Sequence, residues 1–181
     1  MIKNRKLNRL KDYNYSQNGY YFVTICTKGR MEWFGEITGE AMVLNQYGHI
    51  VKKQWSWLFE QYPYIQSDDF VVMPNHLHGI LCIVGNARDS VGNGRDRSLR
   101  YKIKSLSELI GAFKTTSSKL IHNAGLSKFQ WQKSFYDHII RNDADLNRIR
   151  QYMGDNVYQW PNDRNNLKEF QGEPQAANHK D

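Results

Sequence analysis

The run FVVMPNHLHGILCIV, residues 70–84, constrains the fold more tightly than any other stretch. It is apolar and β-branched, and Met73-Pro74-Asn75 breaks it near the middle. That pattern predicts two strands, 65–72 and 77–84, on either side of a short break. His76 and His78 follow the break at i and i+2, so a strand would turn both imidazoles to one face. Two readings are open for them. They fill a polar patch in the core, or they hold a common ligand. Neutral imidazoles are good metal ligands, a strand edge can open beside a Pro-Asn break, and uncompensated polar rings among such apolar neighbours would be costly.

The elements around this pair follow from period and punctuation. Residues 19–28 (GYYFVTICTK) are β-branched and aromatic and predict a first strand, and 31–44, with Gly35 and Gly39, a short hairpin. From Asn45 the period becomes helical: Tyr47, Ile50, Val51, Trp55, Leu58 and Phe59 form a stripe that ends before Pro63. Ser105-Leu106-Ser107-Glu108 has capping-box form and opens a helix with Leu106, Leu109, Ile110, Phe113, Leu120 and Ile121 on one side. Residues 129–140 are aromatic and β-prone. Asn142 or Asp143 caps a last helix through Val157, with Leu146, Ile149 and Met153 as its core stripe. The order strand, helix, strand, strand, helix, strand, with a helix appended, predicts a ferredoxin-like (RRM-like) α+β fold. Its antiparallel sheet carries helices on one face, plus the additional C-terminal helix. Residues 1–170 are expected to form one domain and 171–181 a disordered tail. This topology hosts unrelated functions, so it decides nothing about activity alone.

Charge narrows the partners. Residues 1–11 hold five Lys/Arg and no acid, and residues 88–104 hold six against Asp89 and Asp96. The formal charge of +7 therefore belongs to those two segments, because the remaining residues carry a small acidic excess. Such clusters either meet a polyanion, most often nucleic acid, or serve as a solubilising tail and a solvated loop. No apolar run approaches the roughly 18 residues that span a bilayer. Cys26 and Cys82, without paired spacing, read as reduced core residues of a cytoplasmic protein.

In the last helix, Tyr152 and Asn156 stand four positions apart and share a face with Ile149. They are either a packed tyrosine and a helix-end Asn, or a hydroxyl nucleophile beside an amide-oxygen ligand. Tyr136 is a second tyrosine for the nucleophile's place, here read as structural or site-lining. Asp137 and His138 either support the site behind its ligands or simply pack. His49 and His122 are expected at the surface. Tyr13 and Tyr15 stack on unpaired bases or pack against the core.

The pieces FVVMPNHLHGIL and FQWQKSFYDHIIRNDADLNRIRQYMGDN, with the opening RLKDYNYSQNGYYFVTICTKGR, resemble the tyrosine (HUH) transposases of the IS200/IS605 type. The resemblance is strongest to the branch associated with repetitive extragenic palindromes, and it covers about residues 5–160. It implies that His76 and His78 bind the metal, that Tyr152 is the nucleophile, and that Asn156 completes the metal site. One departure is Asn156-Val157, where relatives usually continue Asn-Pro.

The implied activity is metal-dependent transesterification of single-stranded DNA at hairpin sequences, with Mg²⁺ or Mn²⁺ and a covalent 5′-phosphotyrosine. The resemblance further implies hairpin DNA as partner, a nucleoid-associated cytoplasmic location, and a monomer rather than a helix-swapped dimer. Lys3, Arg5, Lys6, Arg9 and Lys11, with Arg88, Arg95, Arg97 and Arg100, would grip the DNA backbone. The rivals are a catalytically silent hairpin-binding protein and an RNA-binding module of the same topology, which would need exposed sheet aromatics and no metal.

Overall fold

Eight-residue β1 (Gly19–Cys26) sends alternate side chains to opposite faces of a sheet, and each face meets a different helical layer. The structure is a computed structural model, which describes residues 10, 12–85 and 103–166. After β1 come a hairpin of β2 (Gly35–Thr38) and β3 (Ala41–Leu44), then α1 (Gln46–Gln61), β4 (Ile65–Met73) and β5 (His76–Ile83). α2 (Leu106–Asn123), β6 (Tyr136–Ile140) and α3 (Asp143–Gly154) complete the order. The main sheet runs β4-β5-β1-β6 with every neighbour antiparallel, which is the ferredoxin-like arrangement.

On one face Tyr21, Val23 and Ile25 of β1 and Leu77, Leu81 and Ile83 of β5 lie buried beneath α1 and α2. The stripes meet there: Trp55 of α1 packs edge-on against Phe113 of α2 at 5.6 Å. Asn45 caps α1 through bonds from the Tyr47 and Gly48 amides, and both arms of the Ser105–Glu108 capping box are formed at α2. Leu120, expected on the α2 stripe, is instead exposed, and Ser117 takes a buried place facing Trp131 Nε1 at 3.0 Å. Gly79 is required by this packing, because a Cβ there would stand 2.4 Å from Trp55 Cζ2. Gly79→Ala is therefore expected to cost about 1–3 kcal/mol, read as a lowered denaturant midpoint.

The opposite face is covered by α3 and, over His76, by Trp160 from the turn that follows it. Phe22, Ile80 and Ile140 form a small core there with Leu146, Ile149 and Met153, the expected stripe. Asn142 caps α3 by accepting from the Asp145 amide. A register shift between Ser67 and Phe70 of β4 brings Asp68 to a bidentate ion pair with Arg150, which ties α3 to the sheet edge.

Several expected boundaries differ. β1 ends at Cys26 rather than at 28, β4 runs on to Met73, and β5 is His76–Ile83 rather than 77–84. α3 ends at Gly154 rather than Val157. The Asp155 amide still reaches the Gln151 carbonyl four residues back, but the Asn156 amide takes the Met153 carbonyl three residues back and the helix stops. Within 129–140 only Tyr136–Ile140 is a strand, with a single bridge from Trp131 to Thr27. The Lys114 ammonium takes the Gln132 and Ser134 carbonyls, so those groups do not extend the sheet. The expected tail, 171–181, lies outside the described residues.

Candidate active site

Thr24 lies directly across from His78 in the β1–β5 ladder, on the face where Phe22 and Ile80 support α3. Its Oγ1 is 2.8 Å from His78 Nδ1, and both side chains are buried. The His78 Nε2 stands 3.0 Å from His76 Nε2, and His76 Nδ1 is 2.8 Å from Asn75 Oδ1. Asn75 uses its amide nitrogen to donate to the Arg30 and Asn165 carbonyls at 3.0 and 2.8 Å. Its oxygen is thus the acceptor, His76 carries its proton on Nδ1, and the His76 Nε2 lone pair faces the site.

The two Nε2 atoms suit a cation. Ligands at about 2.1 Å and at right angles stand about 3.0 Å apart, the spacing found here. Thr24 can accept from or donate to His78, so it serves the tautomer that leaves Nε2 unprotonated. Burial holds both imidazoles neutral: it pushes His76 well below its ordinary value and His78 down to about 3, with Arg164 acting in the same direction on each. Thr24→Val, which removes the orienting hydroxyl at similar volume, is expected to weaken Mn²⁺ binding by about 10–100-fold in calorimetric titration.

Tyr152, in the last turn of α3, brings its hydroxyl to 3.4 Å from the same His78 Nε2. Phe22 and His78 meet its ring edge-on at 6.2 and 5.4 Å, and it remains 44% exposed at an open groove of about 760 Å³. Burial pushes its phenol above the ordinary range, as does the Asp163 carboxylate, whereas Asn156 and Arg164 act the other way. The phenol is therefore protonated at neutral pH. Asn156, just beyond the helix end, is 1% exposed, and both of its amide atoms lack a hydrogen-bond partner. A buried amide against the Tyr152 phenol, with no well-formed hydrogen bond of its own, suits a ligand's place.

The other expected residues separate by strand alternation. His138 faces the groove and pairs with Asp145 at 2.7 Å, and with Arg148 it holds that carboxyl below the usual range. Asp137 is paired with Val23 and points to the opposite side of β6 from His138. Tyr136 lines the groove on the site face, 46% exposed. Tyr13 and Tyr15 pack with Tyr21. His49 is exposed; His122, also exposed, contacts the Phe129 carbonyl at 2.8 Å. Lys3, Arg5, Lys6, Arg9, Lys11, Arg88, Arg95, Arg97 and Arg100 lie outside the described residues. Sequence reasoning missed Thr24, Asn75, Asp163 and Arg164. Thr24 carries no signal until strand register is known, and Asp163-Arg164-Asn165-Asn166 reads as an ordinary polar turn.

No protein-family model matches the chain. An uncharacterized protein of Haemophilus influenzae is 34% identical over 168 residues, 90% of this chain and 93% of that one. The chain belongs to that protein's family. Among solved structures, it is similar to a REP-associated tyrosine transposase bound to a REP hairpin, with a TM-score of 0.49 and 20% identity. That match covers 84% of this chain and 73% of the other. A candidate transposase from Deinococcus radiodurans gives a TM-score of 0.46 at 15% identity, covering 81% and 97%. No helix among the described residues is long and apolar enough to cross a membrane.

Proposed function

We propose that the chain is a metal-dependent DNA-strand transferase that nicks and rejoins single-stranded DNA at hairpin sequences through Tyr152. The observation that carries this reading is the Tyr152 hydroxyl at the open groove, 3.4 Å from an imidazole nitrogen of the buried histidine pair. A phenol at that point can reach a phosphate lying in the groove, and the histidines offer their lone pairs toward the same place. His76, His78 and Asn156 would hold Mg²⁺ or Mn²⁺, which supplies Lewis-acid polarisation of a phosphate oxygen.

The chain's own chemistry is a displacement at phosphorus. The Tyr152 oxygen forms a bond to the 5′ phosphate, the bond to the 3′ oxygen breaks, and that oxygen departs as a hydroxyl. The phenolic proton must leave as attack proceeds, and the open groove gives water access to accept it. The phosphotyrosine conserves the ester, so attack by another 3′ hydroxyl reseals a strand without ATP. The two basic segments of the sequence supply attraction to the DNA backbone. Tyr152 and both histidines belong to one chain, which suits a monomer.

An RNA-binding module of this topology uses its open sheet face for base stacking. Here α3 covers that face over Phe22, Ile80 and Ile140, which counts against that alternative. The test is incubation with a hairpin-bearing single strand and Mn²⁺. A 3′-labelled strand is expected to migrate with the denatured protein, a 5′-labelled one to be released shortened, and excess chelator to prevent both. Shortening without a protein adduct would reject the tyrosine mechanism.

A further inference from the structure

We propose that Asp163 is the anionic ligand of the cation site; this deepens the functional reading above and rests on its metal centre. His76, His78 and Asp163 each present a ligand atom, and the three atoms lie within 4.8 Å of one another. Asp163 does not belong to α3. It arrives on a turn after the helix, whose position is set from two sides. Trp160 packs over the His76 ring at 5.9 Å, and its carbonyl accepts from Asn166 Nδ2 at 3.1 Å. Farther along, the Asn165 carbonyl accepts from Asn75 Nδ2. One buried amide, Asn75, therefore fixes both the proton of His76 and the turn that carries the carboxylate.

Among the described residues, the Asp163 carboxylate accepts one hydrogen bond, from the Asn165 amide at 2.6 Å. A carboxylate has about four acceptor directions, so capacity remains for a cation. Charge gives the reason one is needed. Two imidazoles and the Asn156 amide are neutral, and the Arg30 and Arg164 guanidiniums both act on His76. A hard dication placed among neutral ligands and two arginines would be poorly compensated, whereas one carboxylate offsets part of that repulsion. The buried Asn156 amide, against the Tyr152 phenol, can add a neutral oxygen to the same centre.

Mn²⁺ binding to the full chain, stripped with chelator and followed by calorimetry, tests the assignment. Asp163→Asn is expected to weaken affinity by about tenfold or more while leaving the chelator-treated melting temperature unchanged. Asp163→Ser, which keeps an acceptor for the Asn165 amide, is expected to do the same and guards against a folding defect in the first variant. Wild-type affinity in both, with binding lost in His76→Ala, would overturn the role of Asp163 and leave the metal centre standing. Wild-type affinity in all three would overturn both.

Discussion

Tyr152→Phe is expected to abolish the covalent protein–DNA adduct, with a loss on the order of 10⁴-fold or more. The substitution removes one oxygen and little else. That hydroxyl makes a long 3.4 Å contact to His78 and borders the open groove, so its loss should change stability by no more than about 0.5 kcal/mol. The phenyl ring keeps its edge contacts with Phe22 and His78, and Mn²⁺ affinity is expected to stay within a few-fold of wild type. Retained metal binding with a lost adduct locates the defect in the bond-forming step. Tyr136→Phe is the matched control, since Tyr136 also lines the groove and is 46% exposed. It is expected to keep adduct formation. An adduct that survives Tyr152→Phe and disappears in Tyr136→Phe would exchange the two roles.

The second large effect is acid instability of the metal-free protein. An unfolded histidine titrates near 6.5, whereas burial holds folded His78 to about 3 and His76 well below its ordinary value. Above pH 6.5 neither state holds the proton, and this stability is fully present. As pH falls below 6.5 the unfolded chain binds protons that the folded one refuses, so stability declines by about 1.4 kcal/mol per pH unit for each histidine. For His78 the decline continues to about pH 3 and totals on the order of 5 kcal/mol. Urea unfolding in chelator between pH 7 and pH 4 measures it. His78→Asn should flatten the slope by about one proton, and saturating Mn²⁺ should delay its onset. A flat profile in wild type would mean that the rings are protonated in the folded state.

Local patterns carried most of the fold. The Asn45 cap, the Ser105–Glu108 box and the Leu146, Ile149, Met153 stripe are decided by residues within one or two helical turns, and each is legible without tertiary knowledge. The histidine pair was legible for the same reason, since i and i+2 share a strand face. Three features were not. Thr24 is paired with His78 by register across 54 positions. Asp163 reaches the histidines only because Trp160 and Asn165 dock on residues near position 75. The early end of α3 is marked by the Asn156 amide tightening onto Met153, which periodicity does not encode.

The two faces of the sheet have different tolerances. The side beneath α1 and α2 holds the larger core, where Gly79 and Trp55 leave no spare volume. The side bearing Thr24 and the histidines has the small α3 cluster, Trp160 over His76, and an open groove. Substitutions in that groove can alter what is recognised while leaving the larger core untouched. Mutational scans should therefore divide by strand parity: in β1, changes at odd positions from Tyr21 to Ile25 lower abundance, while changes at Thr24 lower activity at near-normal abundance. The central strand then separates the larger core from the face that carries the chemistry.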